Sequence, residues 1–165
     1  MKRLYLLRHA KSSWDSPSLS DHDRELNDRG RRDAPRMGAA LAEKLEPQLV
    51  HCSSAVRARQ TLEGVCESWP ALAAQAHEID EALYTFDYRE VLEWLQRRED
   101  SAENYFLIGH NPGLTDLCNQ LVGRLALDNL PTAGFLSLSL PVEHWSDVTE
   151  GIATLEDYLF PRSLA

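Results

Sequence analysis

The sequence predicts an α/β sandwich around a largely parallel sheet, and three observations carry that reading. Short apolar runs of strand length, such as Leu4 to Leu7 and Tyr105 to Ile108, have the composition of buried central strands. The stretches between such runs carry apolar residues at helical spacing, as in Ala34, Met37, Leu41 and Leu45. The two patterns alternate along the chain, which is the signature of strand–helix–strand units.

Taken in order, Lys2 to Arg8 is the first predicted strand. The polar cluster from Trp14 to Asp28, rich in Asp, Ser, Pro and Asn, reads as a long loop, and loops of that length in a compact domain are often functional. A helix follows from about Asp28 to Leu45, and Pro47 stops it. Leu49 to Cys52 is the second strand, with Ser53-Ser54 placed to cap a helix from about Ala55 to Trp69. His77 to Ile79 is a brief third strand, and Val91, Leu92 and Leu95 mark a helix between about Tyr88 and Arg98. Tyr105 to Ile108 is the fourth strand. Gly109-His110-Asn111-Pro112 then leads into a helix ending near Val122, with Asn111 as the expected cap and Pro112 as the first helical residue. Phe135 to Leu140 alternates as a strand does, and Ile152 to Phe160 supplies a closing strand or segment. Trp69, Trp94 and Trp145 are expected packing residues.

The 165 residues suit one domain, 1–165, with 43% apolar residues to fill its core and 26% charged residues to cover it. The apolar run behind Met1-Lys2-Arg3 is too short for a signal peptide, and no stretch approaches a membrane span. Three cysteines, Cys52, Cys66 and Cys118, form no Cys-x-x-Cys and no even framework, so buried thiols in a reducing compartment are expected, with the cytoplasm as the default. A formal charge of −9 excludes a global basic surface for nucleic acid. It also means that an anionic substrate must be caught by a local knot of arginines. The six histidines show no His-x-x-x-His ligand spacing, and neither a metal nor a cofactor is expected. No exposed apolar stripe suggests self-association, so a monomer is expected.

In parallel α/β sheets, ligands bind beyond the carboxyl ends of the strands. Three predicted strands end in chemically loaded residues: Arg8-His9, Ser53 with Arg57 just beyond it, and His110. Arg57 falls in the first turn of a predicted helix, a poor place for a cation unless it reaches across the helix start toward an anion. Taken singly, each also reads as structure: a satisfied strand-end histidine, a surface arginine, a histidine packed in a turn.

Together, Arg8-His9, the run Ser53-Ser54-Ala55-Val56-Arg57-Ala58-Arg59-Gln60-Thr61 and Gly109-His110 resemble the histidine phosphatase superfamily, the phosphoglycerate-mutase-like proteins. Asp23 to Gly30 is similar to the segment before that family's first long helix, and the opening Arg8-His9-Ala10-Lys11 looks most like phosphohistidine phosphatases of the SixA type. The resemblance implies a three-layer α/β/α sandwich with a mainly parallel sheet. It further implies that His9 attacks phosphorus and carries the phosphoryl group, that Arg8, Arg57 and His110 surround its oxygens, and that Arg24 approaches from the preceding loop. The implied substrate is phosphohistidine on a protein. A small sugar or nucleotide phosphate and a non-catalytic phosphate-binding role are the alternatives.

Two departures are minor: Ser54 replaces a proline and Ala10 a glycine common in the family. The third concerns the general acid. The position aligning with the family's Glu holds Thr85, with Glu81 and Asp87 nearby as expected solvated carboxylates. Alkoxide leaving groups need a positioned acid, whereas a protonated imidazole leaves well, so this departure favours P–N substrates. Trp14 is expected either to line the pocket or to anchor the loop. Lys11, Ser12 and Ser13 are expected in solvent, and Arg31 and Arg32 as surface charge.

Overall fold

Strand β1 (Lys2–Arg8) lies at the middle of a six-stranded sheet because its four consecutive apolar residues face both ways. Leu4 and Leu6 enter one core layer, and Tyr5 and Leu7 enter the other. The computed structural model describes residues 1–164. A long segment crosses to α1 (Asp28–Ala42), followed by β2 (Val50–Ser53), α2 (Val56–Glu67), the single-turn α3 (Pro70–Ala73) and β3 (Glu78–Asp80). The second half comprises α4 (Tyr88–Gln96), β4 (Asn104–Gly109), α5 (Gly113–Val122), β5 (Phe135–Leu140) and β6 (Thr154–Leu159).

The strand order is β3-β2-β4-β1-β5-β6. Strands β3, β2, β4 and β1 are parallel, β5 pairs antiparallel with β1, and β6 pairs antiparallel with β5. Only β5 therefore runs against the rest, and the sheet is mainly parallel as the sequence predicts. Helices α1 and α2 pack their apolar faces, including Met37, Leu41, Ala58 and Val65, on one side of the sheet. Helices α4 and α5 bring Val91, Leu95, Leu117 and Leu121 to the other. The result is a three-layer α/β/α sandwich. Gly38 faces the Val65 carbonyl so closely that a Cβ would collide with it, which lets α1 and α2 approach backbone to backbone.

Several boundaries move. Helix α1 ends at Ala42, short of the predicted Leu45; Lys44 and Leu45 close turns onto the Leu41 carbonyl before Pro47 is reached. Neither Ser53 nor Ser54 is the cap of α2: the cap residue is Ala55, without a side-chain bond. Asn111 sits one residue too early to be the cap of α5, which is Pro112, but its Oδ1 still accepts from the Thr115 N–H at 3.1 Å. Trp69, Trp94 and Trp145 are buried. No helix among the described residues is long and apolar enough to cross a membrane.

Candidate active site

The sheet order explains why distant residues meet. Strand β4 lies between β1 and β2, with Arg8 opposite Gly109 and Cys52 opposite Ile108. The carboxyl ends of three parallel strands therefore deliver His9, Ser53 and His110 to one edge, and the first turn of α2 adds Arg57. Chain connections leave β1 and β4 toward opposite sheet faces here, which opens a crevice between them.

His9 is 6% exposed. Its Nδ1 lies 2.7 Å from the Ala10 carbonyl, which can only accept, so Nδ1 carries the proton and Nε2 keeps a lone pair. Arg57 Nε donates toward that Nε2 at 3.4 Å, in agreement with this tautomer. Burial, only partly offset by the Ala10 bond, holds the His9 imidazole well below its ordinary pKa, with His110, Arg57 and Arg8 adding to the effect. The ring is thus neutral at pH 7.

Arg57 is 1% exposed, so the surface-charge reading of this residue fails. Its guanidinium is shared between two sides. Nε faces His9, and Nη2 faces His110 Nδ1 at 3.4 Å. Nη1 donates to the Asp21 carbonyl at 2.6 Å, and Nη2 also meets the Asp21 carboxylate at 3.0 Å. His110, 1% exposed, donates from Nε2 to Ser53 Oγ at 2.7 Å and stands with its ring centroid 5.2 Å from that of His9. Burial first, then Arg57, lowers its pKa to about 3. Arg8 bonds the Leu130 carbonyl through Nη1 at 2.9 Å, while its buried Nε has no partner among the described residues. A buried guanidinium donor beside a second guanidinium is suited to an anion oxygen.

The long loop after β1 closes one side of the crevice. Arg24 is buried, held by Ser12 Oγ at 2.8 Å and stacked 3.6 Å from the ring centroid of Trp14. Trp14 is 73% exposed, so it covers Arg24 and is not the partly buried anchor considered from the sequence. Ser12 is likewise buried, against the expectation of solvation; Lys11 is exposed as expected, and so are Arg31 and Arg32.

Sequence reasoning missed two residues here. The Asp21 carboxylate contacts Arg57, Arg24 at 3.2 Å and the Tyr84 hydroxyl at 2.5 Å. Despite some desolvation, those contacts lower its pKa to about 2. Tyr84 also packs edge-on against His110. Glu81 is exposed, Asp87 caps α4 through the Arg89 N–H, and Thr85 accepts from the Asp87 N–H. None of the three bonds His9, Arg57 or His110, so the carboxylate beside the site is Asp21.

Supporting bonds explain the rest of the central motif. Thr61 Oγ1 accepts from the Ala10 N–H at 2.9 Å and donates to the Arg57 carbonyl at 2.7 Å, tying the His9 segment to α2. Gln60 accepts from the Leu26 N–H and donates to Glu25, pinning the loop that carries Asp21 and Arg24. Gly30 lets the start of α1 press on the Lys11 carbonyl, where a Cβ has no room. The arrangement offers a neutral imidazole with a free lone pair, flanked by cationic donors. Chemically it can bind a phosphoryl group and present a nitrogen nucleophile to it.

Comparison with known proteins agrees. The profile described as histidine phosphatase superfamily (branch 1) matches residues 4–112. An uncharacterized protein of Mycobacterium tuberculosis is 34% identical over 166 residues, covering 94% of this chain and all of its own. A proposed phosphohistidine phosphatase SixA from Agrobacterium tumefaciens is 26% identical with a TM-score of 0.78, over 97% of this chain and 98% of its own. One from Nakamurella shares the fold, with a TM-score of 0.80 at 24% identity, over 97% and 96% of the two chains. The chain therefore belongs to the histidine phosphatase superfamily, branch 1, as a phosphatase whose likeness within that family runs to the SixA type.

Proposed function

We propose that this phosphatase removes the phosphoryl group from phosphohistidine on a protein, with His9 as the nucleophile. The observation that carries this reading is the His9 ring itself: buried, neutral, fixed by the Ala10 carbonyl at 2.7 Å, with Nε2 turned toward Arg57. Nε2 bonds to phosphorus as the bond to the leaving nitrogen breaks, and water then hydrolyses the phosphoenzyme. Arg8 Nε and the Nε–Nη2 edge of Arg57 hold the phosphoryl oxygens, and Arg24 approaches from the loop. His110, whose pKa burial and Arg57 lower, takes up a proton as the dianion arrives and donates from Nδ1. No step uses a metal.

A P–N substrate is supported by the SixA-type likeness and by Thr85 at the position where the family places its acid. The crevice is flanked by exposed Trp14 and Phe86, side chains suited to a protein-borne phosphate. We take the chain to be one domain that acts as a cytoplasmic monomer, with no nucleic-acid partner in view of its charge of −9.

The test is hydrolysis of a phosphohistidine-bearing protein beside p-nitrophenyl phosphate, with His9→Ala run in parallel and acid-labile phosphate trapped on the enzyme. Turnover lost in His9→Ala, with label on the wild type only, is expected. Activity surviving in His9→Ala overturns the mechanism, and hydrolysis of the aryl ester without phosphohistidine overturns the substrate.

A further inference from the structure

From the same geometry we infer that Asp21 is a specificity-determining residue: its carboxylate accepts the ring N–H of a protonated phosphohistidine and so selects P–N substrates over phosphate esters. This rests on the phosphohistidine reading above.

Arg57 divides its donors between two sides. One edge, Nε and Nη2, looks toward His9 and His110, where a phosphoryl group would sit. The other end, Nη1 and Nη2, is held by the Asp21 carbonyl and carboxylate. Asp21 therefore stands about one guanidinium width beyond the reacting nitrogen, on the mouth side, with its side chain 42% exposed. In phosphohistidine the phosphorus sits on one ring nitrogen, and the proton that makes the ring a good leaving group sits on the other, across the ring. An acid for an ester must reach the bridging oxygen next to phosphorus. A group serving imidazole must instead lie farther out, as Asp21 does.

The carboxylate has capacity for that bond. Oδ2 is taken by Arg57 at 3.0 Å and Tyr84 at 2.5 Å, but among the described residues Oδ1 has only two long contacts, both from Arg24, at 3.2 and 3.3 Å. A carboxylate offers about four lone-pair sites, so Oδ1 can accept another N–H. The groups facing Asp21 are Arg57 from α2, Arg24 from its own loop and Tyr84 from the segment after β3, with His110 behind Arg57. Arg57, Arg24 and Tyr84 keep the carboxylate ionised. An ionised Asp21 cannot protonate an alkoxide, but it stabilises an imidazolium. Against a dianionic ester, which has no N–H to offer, the same charge is repulsive.

The chemistry balances without a proton from the enzyme. Solvent protonates the distal ring nitrogen. The P–N bond of the substrate breaks, with its electron pair going to the leaving nitrogen, as phosphorus bonds to His9 Nε2. Neutral imidazole departs with its distal N–H still bonded to Asp21. Water then attacks phosphorus, the P–Nε2 bond breaks with its pair returned to His9, and the proton lost by water stays with the phosphate.

The experiment compares free Nε2-phosphohistidine and p-nitrophenyl phosphate with wild type, Asp21→Asn and Asp21→Glu. In Asp21→Asn the ratio of kcat/KM, phosphohistidine over aryl ester, is expected to fall at least tenfold, with partial recovery in Asp21→Glu. The alkaline limb of the kcat profile for phosphohistidine should move down by about one pH unit in Asp21→Asn, because a neighbouring carboxylate raises the pKa of the bound imidazolium. A ratio unchanged within twofold, with both activities falling together, overturns the inference and makes Asp21 a positioning residue for Arg57. A rise in both activities also overturns it and makes the carboxylate a competitor of phosphate. A wild type that hydrolyses the ester but not phosphohistidine overturns the underlying substrate reading instead.

Discussion

Thr61→Val isolates the tie between the nucleophile strand and α2. Valine has nearly the shape of threonine, so packing is kept while both hydroxyl bonds are lost. The Arg57 carbonyl still has its helical partner, one turn on. The Ala10 N–H does not: Ala10 and Thr61 are fully buried, so the donor is stranded where no water reaches it. A stranded buried N–H costs about 1–3 kcal/mol, and about 2 kcal/mol is expected here. For a chain of this length that is a fall in Tm of about 4–8 °C. Since Ala10 follows His9 directly and its carbonyl fixes the His9 ring, the nucleophile also loses its aim, and kcat with p-nitrophenyl phosphate should fall about 10–100-fold. Thermal unfolding and steady-state kinetics measure both effects. Thr61→Ser keeps the hydroxyl and should recover most of the activity. A Thr61→Val protein within about 0.5 kcal/mol of wild type and with unchanged kcat refutes the reasoning.

Arg57→Lys keeps a charge but not the fork, and should lower kcat by about 10²–10³-fold, the usual loss for one oriented donor to a reacting oxyanion; a loss under tenfold in steady-state assays contradicts the assignment. Because the His9 pKa is depressed in the fold, the acid limb of kcat/KM for p-nitrophenyl phosphate should lie well below pH 6.5. A limb at or above 6.5 would show that the ring is not held neutral. His9 and His110 also make stability depend on pH. Their folded pKa values lie below the unfolded value of 6.5, so the unfolded chain binds more protons below that pH and stability drops as pH falls from 6.5 toward about 3. Urea midpoints should therefore fall between pH 7 and 5, with a shallower fall in His110→Gln, and equal slopes in the two proteins would contradict the burial argument.

What could be read from the sequence was what the sheet fixes. Four consecutive apolar residues at Leu4–Leu7 identify a strand buried on both faces, and residues at the ends of such strands meet by topology alone. His9, Arg57 and His110 were visible in this way. Asp21 was not, because the loop around it has no period and two of its three partners, Arg57 and Tyr84, lie 36 and 63 residues away. Ser53 was read as a helix cap because serine favours that position, but tertiary context gives its hydroxyl to His110 Nε2. Single-turn α3 was missed because four residues cannot show helical periodicity. A composition signal did exist for the loop: a long polar segment in a compact domain pointed to function without naming the residue.

The division between sheet and loop has a chemical consequence. His9, Arg57 and His110 stand on strand ends and a first helical turn whose positions the core dictates, and phosphoryl transfer needs that rigidity whatever group is leaving. Asp21, Arg24 and Trp14 come from a segment joined to the body by a few named bonds, chiefly those of Asp21 with Arg57 and Tyr84 and of Leu26 with Gln60. Changing that segment alters the outer contacts of Arg57, while the Ala10 carbonyl still fixes the His9 ring. On the reading proposed above, the carboxylate at the outer edge of Arg57 belongs to this loop and the nucleophile to the sheet, so leaving-group preference and phosphoryl transfer rest on different parts of the fold.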